Sequence, residues 1–480
     1  MPTPEKSKKS KIKLGPTSSI EEVNSALEFK ERPPSRMWGI ILWLITFVFW
    51  GVGLYVIVSA LLHVETGAIA LIGSLVLPVI SENIQFIVIV ASLLALISLI
   101  GGFFLLKLIH KGAREVTLLV FGGLPILFLI LGVIVFVLTE TFVPSLIFIA
   151  IGGGGIVLFI VFKERLEIVG RALELSAEAI VDEPGQLLAT FISAILGFWT
   201  AISWALTLAA VWGWMTPLVA DTRILYVIEI VLSFFGFWIL MFQKYFWDAV
   251  IVGIVHNWYR SPSVDVASFG RSFSRASHVM GGIVSFAFVM SILRALVATA
   301  RKGKGLSARI IAGMLGIAAS IIRFLGFFAL PAIVIRNTGF KKGFKDSVNK
   351  LRDLFIEVLA SAFGFGLVLA VFALIISIFY GGIGYFLGAY FFATILGGVT
   401  APNVLLGLVS AIGFWIIGLI PTSLIFSTLT TTFNTILYEF GVDLEFGEQG
   451  IELPKRLPEE LKNYFTEKLK EEGHTVPAVL

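Results

Sequence analysis

The 480-residue sequence contains no cysteine. A disulfide framework, a thiolate metal site and a cysteine nucleophile are therefore excluded. Charge is also scarce. Asp, Glu, Lys and Arg together make up 14%, against about 25% in soluble domains. Hydrophobic residues fill the gap at 57%, and the mean hydropathy is +0.96. A water-soluble globule cannot hide that much apolar surface, so a soluble enzyme, a nucleic-acid binder and a disordered protein are excluded as whole-chain readings. No GxxxxGK[ST] phosphate loop or HExxH metal motif occurs. The five histidines, His63, His110, His256, His278 and His474, do not fall at metal-ligand spacing. The sequence predicts no cofactor, no metal, no nucleic-acid partner and no built-in ATP motor, and nothing in it pairs a nucleophile with a base.

What the sequence has instead is long apolar runs. About 20 such residues cross the hydrocarbon of a bilayer as a helix. Runs of this kind occupy Met37–Leu62, Asn83–Leu106, Val116–Leu138, Phe142–Phe162, Leu187–Met215, Ile224–His256, Val279–Ala298, Ile310–Ile335, Phe355–Tyr380 and Val404–Leu437. Pro421 should kink the last of them. Ile383–Val399 reads as a short or re-entrant element. The expected fold is an all-α, polytopic helical bundle of about ten transmembrane helices.

Residues 1–36 carry eight Lys and Arg without a closely following apolar core, so they read as a disordered basic tail and not a cleavable signal peptide. Residues 37–438 would form the transmembrane domain, and 439–480 an acidic tail. Basic residues cluster after alternate runs, at Lys107–Arg114, Lys163–Arg171 and Arg260–Arg275, while 63–82 has none. By the positive-inside rule both termini face the cytoplasm of a cell membrane. Arg294, Arg301, Lys302, Lys304 and Arg309 break the alternation, so Val279–Ala298 either re-enters or has an unusual register. Between Lys163 and Val181, Leu166, Val169, Leu173, Ala177 and Ile180 recur at helical spacing, as in an amphipathic helix along the interface. Gly152–Gly155 lies inside a run, where small residues let helices approach closely.

Ionisable residues inside spans are costly and so mark functional candidates. Glu229, Lys244 and Asp248 share one run. Lys244 and Asp248, four apart, can neutralise each other. Phe234, Trp238, Met241, Tyr245 and Asp248 are spaced 4, 3, 4 and 3 apart and so share one helix face. That face presents rings, a thioether and a carboxylate. A quaternary ammonium ion has no N–H to donate, and ring faces with diffuse negative charge are the chemistry that holds it. The alternative is ordinary packing of aromatics in an aromatic-rich chain. Trp199 and Trp204 lie deep in the preceding run and could face the same cavity. Trp212 and Trp214 read as interfacial belt residues.

Five ordered stretches resemble the choline transporter-like family: Glu164–Leu187, Gly236–Arg260, Ser272–Arg294, Arg323–Leu351 and Thr430–Glu445. The resemblance implies about ten transmembrane helices with both termini inside, and transport of choline or a related organic cation without ATP hydrolysis. It adds Trp258 and Tyr259 to the candidate aromatic positions. Two departures accompany it. Arg260 stands where the family usually has Phe, and the cysteine-bearing glycosylated loop of animal members is reduced to 63–82, with no N-x-[ST] site in the chain. The expectation is an alternating-access transporter in which membrane lipids surround the bundle. A non-transport scaffold or lipid-handling protein, and an intramembrane enzyme acting on lipid head groups, are the competing readings.

Overall fold

The computed structural model describes residues 20–28, 35–61, 142–215, 222–261, 268–302, 328–353 and 404–447, parts of 100–137 and 369–392, and residues 451, 453 and 456. Most of Asn83–Leu106, Ile310–Ile335 and Phe355–Tyr380, the loop 63–82 and the helix expected near Pro458–Gly473 lie outside the described residues.

The principal helices are α1 (Ile20–Leu27), α2 (Met37–Leu61), α3 (Phe142–Asp182), α4 (Gly185–Met215), α5 (Thr222–Arg260), α6 (Ser268–His278), α7 (Met280–Lys302), α8 (Ala329–Ile335), α9 (Phe340–Asp353) and α10 (Val404–Gly447). Leu387–Phe392 is a π-helical turn. No strand occurs among the described residues. Among the described residues, four stretches are long and apolar enough to cross a membrane: Met37–Ser59, Gly185–Met215, Arg223–Arg260 and Met280–Ala298. The protein is thus an all-α, multi-pass membrane protein. In lipid every backbone N–H and C=O must be satisfied within its own segment, which is why apolar runs of this length fold as helices.

Outward faces are apolar. On α2, Ile40, Leu44, Phe47 and Val48 are exposed, while Leu42, Thr46 and Phe49 turn inward. The same division runs along α5. Ile224, Val227 and Ile230 are exposed, whereas every residue from Tyr245 to Arg260 is buried. Helix α5 is the hub of the bundle, packing against α4, α6, α7, α8 and α10. Helix α2 lies against α4 and α7, and α10 against α3, α4 and α5.

Several helices outrun a bilayer. At a rise of 1.5 Å per residue, α3 is roughly 61 Å long, α5 roughly 58 Å and α10 roughly 66 Å, each about twice the hydrocarbon thickness. Phe142–Asp182 is one continuous helix of 41 residues. Its first half exposes Leu146, Ile147, Val157 and Ile160, and its second half buries Leu173, Leu175, Ala177 and Ile180. Gly152 and Gly155 lie beneath Pro125. A Cβ on Gly152 would come 2.7 Å from the Pro125 carbonyl oxygen, and one on Gly155 2.8 Å from the Pro125 ring. The Phe121–Val137 helix therefore rests directly on the α3 backbone, as small residues allow in membranes.

The basic N-terminal stretch is not uniform. Within it, α1 buries Val23 and Leu27, one turn apart, in the main core. Likewise Glu439, Asp443 and Glu445 belong to the last turns of α10.

Candidate cation-binding site

The face of α5 that carries Phe234, Trp238 and Tyr245 is laid against α7. The Phe234 ring meets Phe288 edge-on at 5.9 Å. Trp238 packs on the same Phe288 at 4.9 Å, and its Nε1 lies 3.5 Å from the Val284 carbonyl oxygen. The Tyr245 ring meets Phe286 at 4.7 Å. Phe235 joins from the side, at 5.8 Å from Trp238. Met241 is half-buried and packs on the core. These contacts form a seam of rings closed by edge-to-face packing, the favoured geometry for aromatic quadrupoles.

At the end of the seam Asp248 is nearly buried and accepts a 2.6 Å bond from Lys244 Nζ. The Lys244 ammonium also lies 5.5 Å from the Tyr245 ring centre, so this ring face already holds a cation. Glu229 sits half-buried near the opposite end of α5, about 28 Å along the axis from Asp248. The stripe from Phe234 to Asp248 itself extends over about 21 Å of helix.

On α4, Trp204 crosses α5 at Gly236. A Cβ there would lie 2.3 Å from Trp204 Nε1, so the missing side chain is what admits the indole. Its Nε1 donates to the Leu232 carbonyl at 3.3 Å. Trp199 is half-buried on the same helix. Its neighbour Thr200 is fully buried and lies 3.0 Å from both amide atoms of Gln243, and Trp50 Nε1 donates to the same hydroxyl at 2.9 Å. This polar contact joins α2, α4 and α5 inside the apolar span. Sequence reasoning missed it because Thr and Gln carry no charge to stand out in a hydropathy profile.

Trp258 and Tyr259 are remote from the seam. Trp258 Nε1 donates to Asp182 Oδ2 at 3.0 Å, with the Arg456 guanidinium 5.5 Å from its ring centre. The Tyr259 hydroxyl donates to Asp443 Oδ2 at 2.9 Å. Tyr259 belongs to a buried ion network where the α5 and α10 C-termini meet, and Trp258 lies beside it on the Asp182–Arg456 pair. Arg260 Nε donates to Glu439 Oε2 at 2.8 Å, and its terminal nitrogens reach Glu439 and Asp443. His256 Nδ1 contacts the other Glu439 oxygen, while its Nε2 lies 2.6 Å from Asn24 Oδ1 on α1. The side chains of His256, Arg260 and Glu439 are fully buried.

A second group is adjacent. Arg336 pairs with Glu445 and lies 3.8 Å from Asp346. Lys350 Nζ donates to Glu445 at 2.8 Å, and the Tyr438 hydroxyl to Asp346 at 2.5 Å. Burial pushes the Glu445 carboxyl up, but the charges of Arg336 and Lys350 prevail and hold it below the usual carboxylate range. Among the described residues, no cluster of three His, Asp or Glu could hold a metal ion.

Residues 146–445 match the family described as plasma-membrane choline transporter. The chain belongs to that family. The match covers more than half of the sequence and ends at the ion network. Comparison with curated proteins finds no match. Family members are transport proteins, so membrane transport of the choline and organic-cation kind is the general function of this chain, and it is not an enzyme.

Proposed function

We propose that this choline transporter-like protein moves choline or a related quaternary ammonium ion by ATP-independent alternating access, and that the cation passes along the ring-lined seam between α5 and α7. The observation that carries the reading is the meeting of Phe234, Trp238, Tyr245, Phe286 and Phe288 beside the Lys244–Asp248 pair. Ring faces attract a methylated cation without needing an N–H, and a carboxylate at the end of the path balances its charge.

In the closed arrangement Lys244 occupies that carboxylate. Opening the seam would let the incoming cation take the place of the lysine, so the negative charge in the span is never left uncompensated. Trp204 and Trp199 on α4, and Glu229 toward the far end of α5, would line the approach. Trp258 and Tyr259 would act at a distance, through the ion network that anchors the foot of α5. The full protein would have about ten transmembrane helices with both termini in the cytoplasm, residing in the cell membrane among its lipids.

Labelled choline uptake into proteoliposomes tests the proposal. Uptake above the level of empty vesicles, reduced by Asp248→Asn, is expected. Flux equal to that of empty vesicles would instead favour a scaffold or lipid-handling role, for which a ring-packed seam serves only cohesion.

A further inference from the structure

A cavity of about 410 Å³ opens beside the ion network. Glu28, Arg271, Ser274, Arg275, His278 and Asn337 line it, together with Asn24 and Asn257. Arg271, Ser274, Arg275 and His278 fall at positions i, i+3, i+4 and i+7 of α6, so they present one stripe. The cavity thus gathers two guanidinium groups against a single carboxylate. A third guanidinium, that of Arg36, contacts His278 at the rim.

Arg275 is the key residue. It donates to the Val334 and Ile335 carbonyls at 2.9 and 2.8 Å and to Asn24 Oδ1 at 2.7 Å. Among the described residues, no carboxylate lies within 4 Å of it. Burial lowers its pKa, and only the more distant Glu28 and Glu439 act in the other direction. Its hydrogen bonds are therefore made to dipoles, with Glu28 and Glu439 acting on its charge only from a distance. Arg271, one turn earlier, is exposed. Asn337, held at a positive φ of 50°, also lines the cavity, and its side-chain oxygen is buried without a hydrogen-bond partner.

We propose that this cavity binds a protonated phosphate group, either free phosphate or the phosphomonoester head group of a lipid. Guanidinium forks match phosphate oxygens. The Asn337 oxygen, an acceptor without a partner, favours a ligand that also donates, and a P–OH does so where an ionised carboxylate or sulfate does not. None of the lining residues belongs to the cation path, so the two proposals stand separately.

The test uses the full chain in phosphatidylcholine nanodiscs, with the thermal unfolding midpoint as readout. One arm titrates inorganic phosphate, and the other adds phosphatidic acid to the nanodisc. A rise in the first arm identifies a soluble phosphate site, and a rise in the second a head-group site. Arg271→Gln should weaken the effective ligand by about tenfold or more, the value of one charge-assisted hydrogen bond. Ser274→Leu, which puts an apolar side chain beside the two guanidinium groups, should abolish the effect. No rise in either arm, a rise retained by both variants, or an equal rise with sulfate at matched ionic strength would overturn the proposal.

Discussion

Replacing Arg260 with methionine removes the one cation that touches both Glu439 and Asp443. In the native protein the contacts of its guanidinium include two to the Glu439 carboxylate, one to Asp443 and one at 3.3 Å to the Glu439 carbonyl. Charged hydrogen bonds are worth about 1.5–3 kcal/mol each, but stripping water from three buried charges offsets much of their sum. What the variant exposes is the remainder, two buried carboxylates with too little positive charge nearby. Removal of one partner of a buried pair costs about 3–5 kcal/mol. His256 still contacts Glu439, so the lower half of that range is expected. Thermal unfolding in detergent, followed by tryptophan fluorescence, would show it as a drop of several degrees. The triple variant Arg260→Met, Glu439→Gln, Asp443→Asn removes the stranded charges with their partner, and should recover a good part of the loss. An Arg260→Met protein within about 1 kcal/mol of wild type would refute the reasoning. So would a triple variant less stable than the single one.

Three further outcomes are expected. Trp238→Ala should weaken choline binding by about 0.5–2 kcal/mol, read by equilibrium binding of labelled choline, and unchanged affinity would remove this ring from the path. Gly236→Val forces a side chain into the Trp204 indole and should destabilise by about 1–3 kcal/mol, with a change in tryptophan emission, whereas Gly197→Ala, where a Cβ meets nothing within 4 Å, should not. For Glu445, whose carboxyl is held below its ordinary value of 4.5, the stabilisation is fully present above that value and fades as pH falls through the lowered folded value. Glu445→Gln should then flatten the acid limb of the stability profile, by about 1 kcal/mol or less because the side chain is 39% exposed and screened.

The spans were legible because hydropathy follows a strict rule in lipid. The run Met37–Leu62 is met by α2, Leu187–Met215 by α4, Ile224–His256 by α5 and Val279–Ala298 by α7, each to within a few residues. The basic residues after the last of these raised the possibility of re-entry, yet Met280–Ala298 is long and apolar enough to cross. The stripe from Phe234 to Asp248 could be read as one face from its spacing, and its contacts with Phe286 and Phe288 lie on one neighbouring helix. What faces that stripe was not legible, since periodicity names a face but not its partner. The ion network was hidden for another reason. Arg260, Glu439, Asp443 and Arg336 stand at the ends of apolar runs, where charges read as loop residues. Their partners lie up to 309 residues away in sequence, so no local pattern joins them.

Helix α5 is one unbroken rod of 39 residues, with rings along its middle and Tyr259 and Arg260 at its foot. A rod has a single tilt. If its upper part swings away from α7, its base must pivot on α10, and any effort spent loosening one end is felt as strain at the other. The foot thus acts as a fulcrum, and the stiffness of the Arg260–Glu439 joint sets how far the lever can travel.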